Sequence, residues 1–171
     1  MYVSYPNNPN GAVADDAFYE KLIAFAKQHD ILVLHDNAYS ELVFDGRPGK
    51  SFLYYTGARE VGFELNSFSK SFSMGGARMA AMVGNRDAIA AYKKLLNTID
   101  FGGFPAVQKA AVTALQCGDP FAKSVCAEYQ RRRDLLIDAF KEAGWHIEPS
   151  QATMFVGAKI PDRFEDSSVF T

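Results

Sequence analysis

The 171 residues are 48% hydrophobic and 22% charged, enough apolar material to bury a sizeable core as one domain or one and a half. A formal net charge of −2 gives no electrostatic case for nucleic acid or an anionic membrane as partner. No apolar stretch is long enough to span a bilayer and no signal peptide precedes the first apolar run, so a soluble, cytoplasmic protein is expected.

Hydrophobic periodicity predicts a strand over residues 1–5 and an amphipathic helix over 15–29, with Phe18, Leu22, Phe25 and Ala26 on one face. A second strand is expected over 31–35. Residues 45–49, Asp-Gly-Arg-Pro-Gly, read as a surface loop. Strands over 61–66 and 78–84 flank a serine- and glycine-rich turn around Lys70, and a helix over 87–97 follows. Strands alternating with helices imply an α/β fold with a mainly parallel sheet and flanking helices.

After Phe101-Gly102-Gly103-Phe104-Pro105 the pattern becomes helical, first over 106–116, then in a long stretch from Asp119 or Pro120 to Ala143 that Gly144 ends. Strand-like runs over 145–148 and 153–160 come last. Arg131-Arg132-Arg133 lies among charges of both signs and reads as a solvated helix face. Cys117 and Cys126 have the spacing of neither a metal pair nor a redox motif, so reduced thiols are expected; His29, His35 and His146 show no ligand-like spacing, and no structural metal is expected.

The most informative segment is Ser67-Phe68-Ser69-Lys70-Ser71-Phe72-Ser73-Met74-Gly75-Gly76-Ala77-Arg78. A lysine amine can condense with the aldehyde of pyridoxal phosphate, while Ser67, Ser69 and Arg78 are donors of the kind that grip a phosphate. Two other polar clusters, Tyr5-Pro6-Asn7-Asn8-Pro9-Asn10-Gly11 and Asp36-Asn37-Ala38-Tyr39, follow strand-like runs. Buried parallel strands would end at both, the place where ligands bind in open α/β sheets. Taken singly, these are ordinary turn, capping and core residues; three converging on one sheet edge point to a site.

In this order and spacing the three segments resemble the class I and II aminotransferases of fold type I, whose signature is Asn-Pro-(Thr)-Gly, then Asp-x-Ala-Tyr, then Ser-x-Ser-Lys with an arginine eight residues on. Here these are Asn8-Pro9-Asn10-Gly11, Asp36-Asn37-Ala38-Tyr39 and Ser67-Phe68-Ser69-Lys70 with Arg78, the one departure being Asn10 where threonine is usual. The resemblance implies that Lys70 forms a Schiff base with pyridoxal 5′-phosphate and shuttles the substrate's α-proton. Asp36 would keep the pyridine nitrogen protonated, and Tyr39 and Asn8 would hydrogen-bond the ring's phenolate oxygen. Ser67, Ser69 and Arg78 would take the phosphate. Such families often hold the Asn8–Pro9 bond cis.

The resemblance covers essentially the whole chain, but family members are roughly twice as long, so the chain looks like a fragment. It implies residues 1–122 as the later part of the large, cofactor-binding domain and 123–171 as a partial α+β small domain, with the boundary inside the long helix near residues 120–129. An N-terminal arm, a phosphate-binding glycine turn, an aromatic that stacks on the pyridine ring and a carboxylate-binding arginine would lie outside it. The implied parent activity is transfer of an amino group from an L-amino acid to a 2-oxo acid by a homodimer, closest to the aspartate, aromatic and LL-diaminopimelate branch. A C–S lyase or related eliminating enzyme on the same scaffold is the alternative, and the isolated chain may be expected to act as a non-catalytic folding unit. Phe101 to Phe104 could meet a partner subunit or be a plain connector.

Overall fold

The computed structural model describes residues 1–99, 102–161 and 163–170; Phe101, at the start of the expected connector, lies outside them. Four strands form one sheet in the order β1 (Tyr2–Ser4), β2 (Val33–Asp36), β3 (Gly62–Ser67), β4 (Ala80–Gly84). The first three are parallel, with Ser4 opposite Asp36 and Asp36 opposite Leu65; β4 runs antiparallel to β3, with Ser67 opposite Ala80. The sheet is thus mainly parallel, as expected.

Helix α1 (Asp16–Gln28) starts at Asp15, whose carboxylate accepts from the Phe18 amide at 2.8 Å. It buries Tyr19, Leu22, Ile23 and Ala26 against Val33, Phe52 and Ala58, a period-3.6 stripe turned one residue from the expected face; Phe25 is 44% exposed. A 3₁₀ turn at Phe52–Tyr54 and the short helix α2 (Ala58–Val61) lead into β3. The lysine segment forms the one-turn helix α3 (Phe68–Ser71), and α4 (Arg86–Ile99) follows β4.

Three expectations are corrected. The two helices expected after residue 105 are one, α5 (Pro105–Glu142), with Pro120 inside it. A proline costs a helix one hydrogen bond and a clash with the preceding turn. The helix nevertheless continues, and Gly118 and Ala122 on either side of the proline are buried. The runs 145–148 and 153–160 are not strands: among the described residues neither pairs with a strand, and an isolated antiparallel bridge joins Val43 to Ala152. α6 (Ser167–Phe170) ends the described chain.

The third correction concerns the basic run. Arg131 and Arg132 are solvated and pair with Glu128, but Arg133 is 7% exposed. Its guanidinium reaches the otherwise exposed loop at Asp45 and the Ser150 carbonyl. The same junction carries Phe44 N donating to Gln151 O at 3.0 Å and Thr153 N donating to Leu42 O at 2.8 Å. Residues 42–45 therefore fasten α5 and residues 150–153 to the sheet side of the molecule.

Candidate active site

Because β1, β2 and β3 run parallel, the segments that follow them gather on one edge of the sheet. After β1 the chain turns through residues 5–11, with both Tyr5–Pro6 and Asn8–Pro9 cis. The turn is closed by Asn7 N donating to Ala12 O and Gly11 N donating to Asn7 O, both at 2.8 Å. Asn10 accepts from the Ala12 amide at 2.9 Å, so at the position where the signature has threonine it caps its own turn. Gly11 has φ +68°, and a Cβ there would lie 2.7 Å from the Ala152 carbonyl oxygen; only glycine lets this loop approach residues 150–153 so closely.

At the end of β2, Asp36 is half-buried and its two oxygens are divided: Oδ1 accepts from the Ala38 amide at 3.2 Å and Oδ2 from the Tyr2 hydroxyl at 2.6 Å. Tyr2 lies two residues before Ser4, the register partner of Asp36, on the neighbouring strand. The bond to Asp36, more than burial, raises the Tyr2 phenol, which stays protonated as a donor. Tyr39, three residues on, is 7% exposed. Burial and then the Asp36 charge raise its phenol too, against the lowering bond from Asn8. Asn8 Nδ2 donates to the Tyr39 hydroxyl at 3.5 Å, which leaves the hydroxyl hydrogen to donate onward. Lys70 Nζ sits 6.0 Å from the Tyr39 ring centroid, and the Phe155 ring packs edge-on against Tyr39 at 6.1 Å.

The expected phosphate residues are less tightly drawn together. Ser67 caps α3, its oxygen accepting from the Ser69 amide at 3.2 Å, so its own hydroxyl hydrogen remains to be given. Arg78 is exposed, in a left-handed conformation at φ 54°, and donates to Gly75 O at 3.1 Å. Among the described residues no hydrogen bond joins Arg78 to Ser67, Ser69 or Lys70. The structure thus bonds Asn8 to Tyr39, sets Lys70 near the Tyr39 ring, and leaves Asp36 and Arg78 bound to other neighbours.

This donor set fits a phosphorylated aldehyde with a basic ring nitrogen. It offers one primary amine, one carboxylate at a strand end, a phenol and an amide in contact, two hydroxyls and a guanidinium. Sequence reasoning missed Tyr2 and Phe155. Strand register could have pointed to Tyr2, because a residue two before the partner of Asp36 lies on the same sheet face; Phe155 had no signal, since nothing local carries it to Tyr39.

The comparisons with known proteins give a family and its relatives. The family model described as aminotransferase class I and II matches residues 1–166. An LL-diaminopimelate aminotransferase of Gloeobacter violaceus is 44% identical over 99% of this chain and 43% of its own length. The glutamate-pyruvate aminotransferase AlaC of Escherichia coli is 38% identical over 96% of this chain and 40% of its own. The apo structure of BacF from Bacillus subtilis superposes with a TM-score of 0.92 at 45% identity, covering 99% of this chain and 43% of that one. The chain therefore spans well under half the length of the proteins it matches.

Proposed function

The chain belongs to the class I and II aminotransferases, and from that premise we propose that the whole protein transfers an amino group from an L-amino acid to a 2-oxo acid. Pyridoxal 5′-phosphate is the cofactor of the family. When bound, it supplies the aldehyde carbon at which amino groups are exchanged and a ring that withdraws electrons from the substrate's Cα. The observation that carries the proposal is the gathering of Asn8 and Lys70 about Tyr39, three residues from the strand-end carboxylate Asp36.

The chain's residues divide the work. Lys70 Nζ would hold the cofactor at its aldehyde carbon and, once displaced by the substrate's amine, would carry the proton from the substrate's Cα to that same carbon. Asp36 keeps a proton on the pyridine nitrogen, which its charge favours. The Tyr39 hydroxyl, kept protonated by burial and by Asp36, donates to the ring oxygen, with Asn8 fixing its direction. Ser67, Ser69 and Arg78 hold the phosphate. Residues 1–122 would be the later part of the cofactor-binding domain and 123–171 a partial small domain.

The names of the relatives support LL-diaminopimelate as donor; aspartate, the donor named for a similar structure from Thermus thermophilus at 27% identity, is the second choice. A homodimer acting in the cytoplasm is the form we propose, in keeping with two free thiols. The test gives the whole protein cofactor, a ¹⁵N-labelled donor and a 2-oxo acid. Label appearing in a new amino acid, and absent with Lys70→Ala, supports the proposal. Release of labelled ammonia with no amino acid formed would move the reading to elimination.

A further inference from the structure

Behind the face that carries Asp36 lies a buried polar chain with no part in the roles above. Tyr19, His35 and Glu64 are 1%, 0% and 2% exposed. His35 and Glu64 are register partners on β2 and β3. The imidazole Nδ1 stands 3.0 Å from Glu64 Oε2, and Nε2 stands 3.2 Å from the Tyr19 hydroxyl. Glu64 accepts three more bonds: from Ser51 Oγ and the Phe52 amide on Oε2, both at 2.9 Å, and from Asn66 Nδ2 on Oε1 at 2.7 Å. A carboxylate only accepts, so His35 Nδ1 carries the hydrogen between them.

Fold stability alone is a weak reason for burying such a group, because a packed apolar pair of similar volume commonly serves as well or better. The position of the pair suggests another reason. His35 precedes Asp36 by one residue, and strand alternation puts their side chains on opposite faces. Glu64 bonds Asn66, the residue before the Ser67 cap of the lysine turn. One carboxylate thus ties together the two strands whose ends carry the acid and the amine.

We propose that His35 and Glu64 are positioning residues for the cofactor site, locking β2 against β3 so that Asp36 and the Ser67–Lys70 turn keep a fixed relation. This rests on the assignment of Asp36 and Lys70 given above. Neither residue touches the site; both act through the strands they fasten.

The experiment compares His35→Leu with His35→Asn in the whole protein, since the asparagine Nδ2 can replace imidazole Nδ1 as donor to Glu64. Thermal midpoint, the pyridoxal phosphate Kd and the visible absorption band of the bound cofactor are read for each. His35→Leu is expected to raise Kd about 10- to 100-fold, the usual effect of removing a group that orients a ligating residue, and to shift the band. His35→Asn is expected to restore the band and bring Kd to within about threefold of wild type, while its midpoint stays low for want of the Tyr19 contact. Lower midpoints in both variants with Kd and band unchanged would mean a purely structural pair and would overturn the proposal. Should His35→Leu not fold, Ser51→Ala, which removes one donor from Oε2, takes its place: a raised Kd supports the proposal and an unchanged one overturns it. A wild-type protein that takes no cofactor on Lys70 overturns the site assignment itself, which separates the two failures.

Discussion

Arg133 and Asp45, 88 positions apart, close a two-pronged ion pair, Nη1 to Oδ2 at 2.9 Å and Nη2 to Oδ1 at 2.6 Å. Arg133 also donates to Ser150 O at 2.7 Å and to Asp134, and its guanidinium lies 4.9 Å from the Phe44 ring centroid. One side chain therefore binds α5 to the loop beyond the Asp36–Tyr39 segment and to the chain after the helix. Arg133→Ala should cost about 1–3 kcal/mol, because it leaves the Ser150 carbonyl unpaired in the interior, while the exposed Asp45 carboxylate is rehydrated. Arg131→Ala, whose partner Glu128 is solvated, should cost far less. Urea denaturation of both variants checks this, and similar losses would contradict the assignment of Arg133 to the interior.

Acid should weaken the fold through Glu64. Burial pushes its carboxyl up, but the bonds from His35 and Asn66 outweigh burial and bring it from an ordinary 4.5 down to about 2. With the folded pKa below the unfolded one, the unfolded chain binds more protons in the window between them. The contribution is then complete above about pH 4.5 and is lost progressively toward pH 2. It amounts to about 3 kcal/mol. Glu64→Gln should flatten this part of the stability curve, measured by denaturant midpoints at several acid pH values; equal slopes in both proteins would remove Glu64 as the cause.

Asp36→Ala should leave the whole protein folded and still able to take some cofactor, while turnover falls roughly 100-fold, as expected for about 2–3 kcal/mol from a charged hydrogen bond. Tyr39→Phe removes one hydrogen bond to the ring oxygen and should lower turnover about tenfold. Steady-state kinetics of the two variants measure the order, and a larger loss from Tyr39→Phe would reverse the importance given to the carboxylate.

Pro120→Ala reports on α5. If the helix runs unbroken through this position, alanine restores a hydrogen bond and relieves a clash, and stability should rise by about 1–3 kcal/mol. If Pro120 instead opened a second helix, where its missing N–H costs nothing, the change would be neutral or slightly destabilising. Thermal unfolding of the variant distinguishes the two.

The strands and the three polar clusters were legible because each depends on local pattern: apolar runs four to six residues long, ended by turn chemistry, with Lys70 in a hydroxyl-rich turn. The small shift of the α1 face, from Phe25 to Ile23, came from packing against Phe52 and Ala58, which no local window contains. Pro120 misled because its usual meaning as a helix start is a local rule, and the helix runs through it with Gly118 and Ala122 buried. Arg133 was lost among its solvated neighbours because a charge's partner lies wherever the fold brings it. The same holds for Tyr2 on Asp36 and for His35 on Glu64, both set by strand register.

The most direct test of the site is made on this 171-residue chain: add pyridoxal phosphate, reduce with borohydride, and map the modified lysine by mass spectrometry. The account predicts one cofactor per chain fixed on Lys70, and none after Lys70→Ala. Label scattered over surface lysines, or a single site elsewhere, would contradict it.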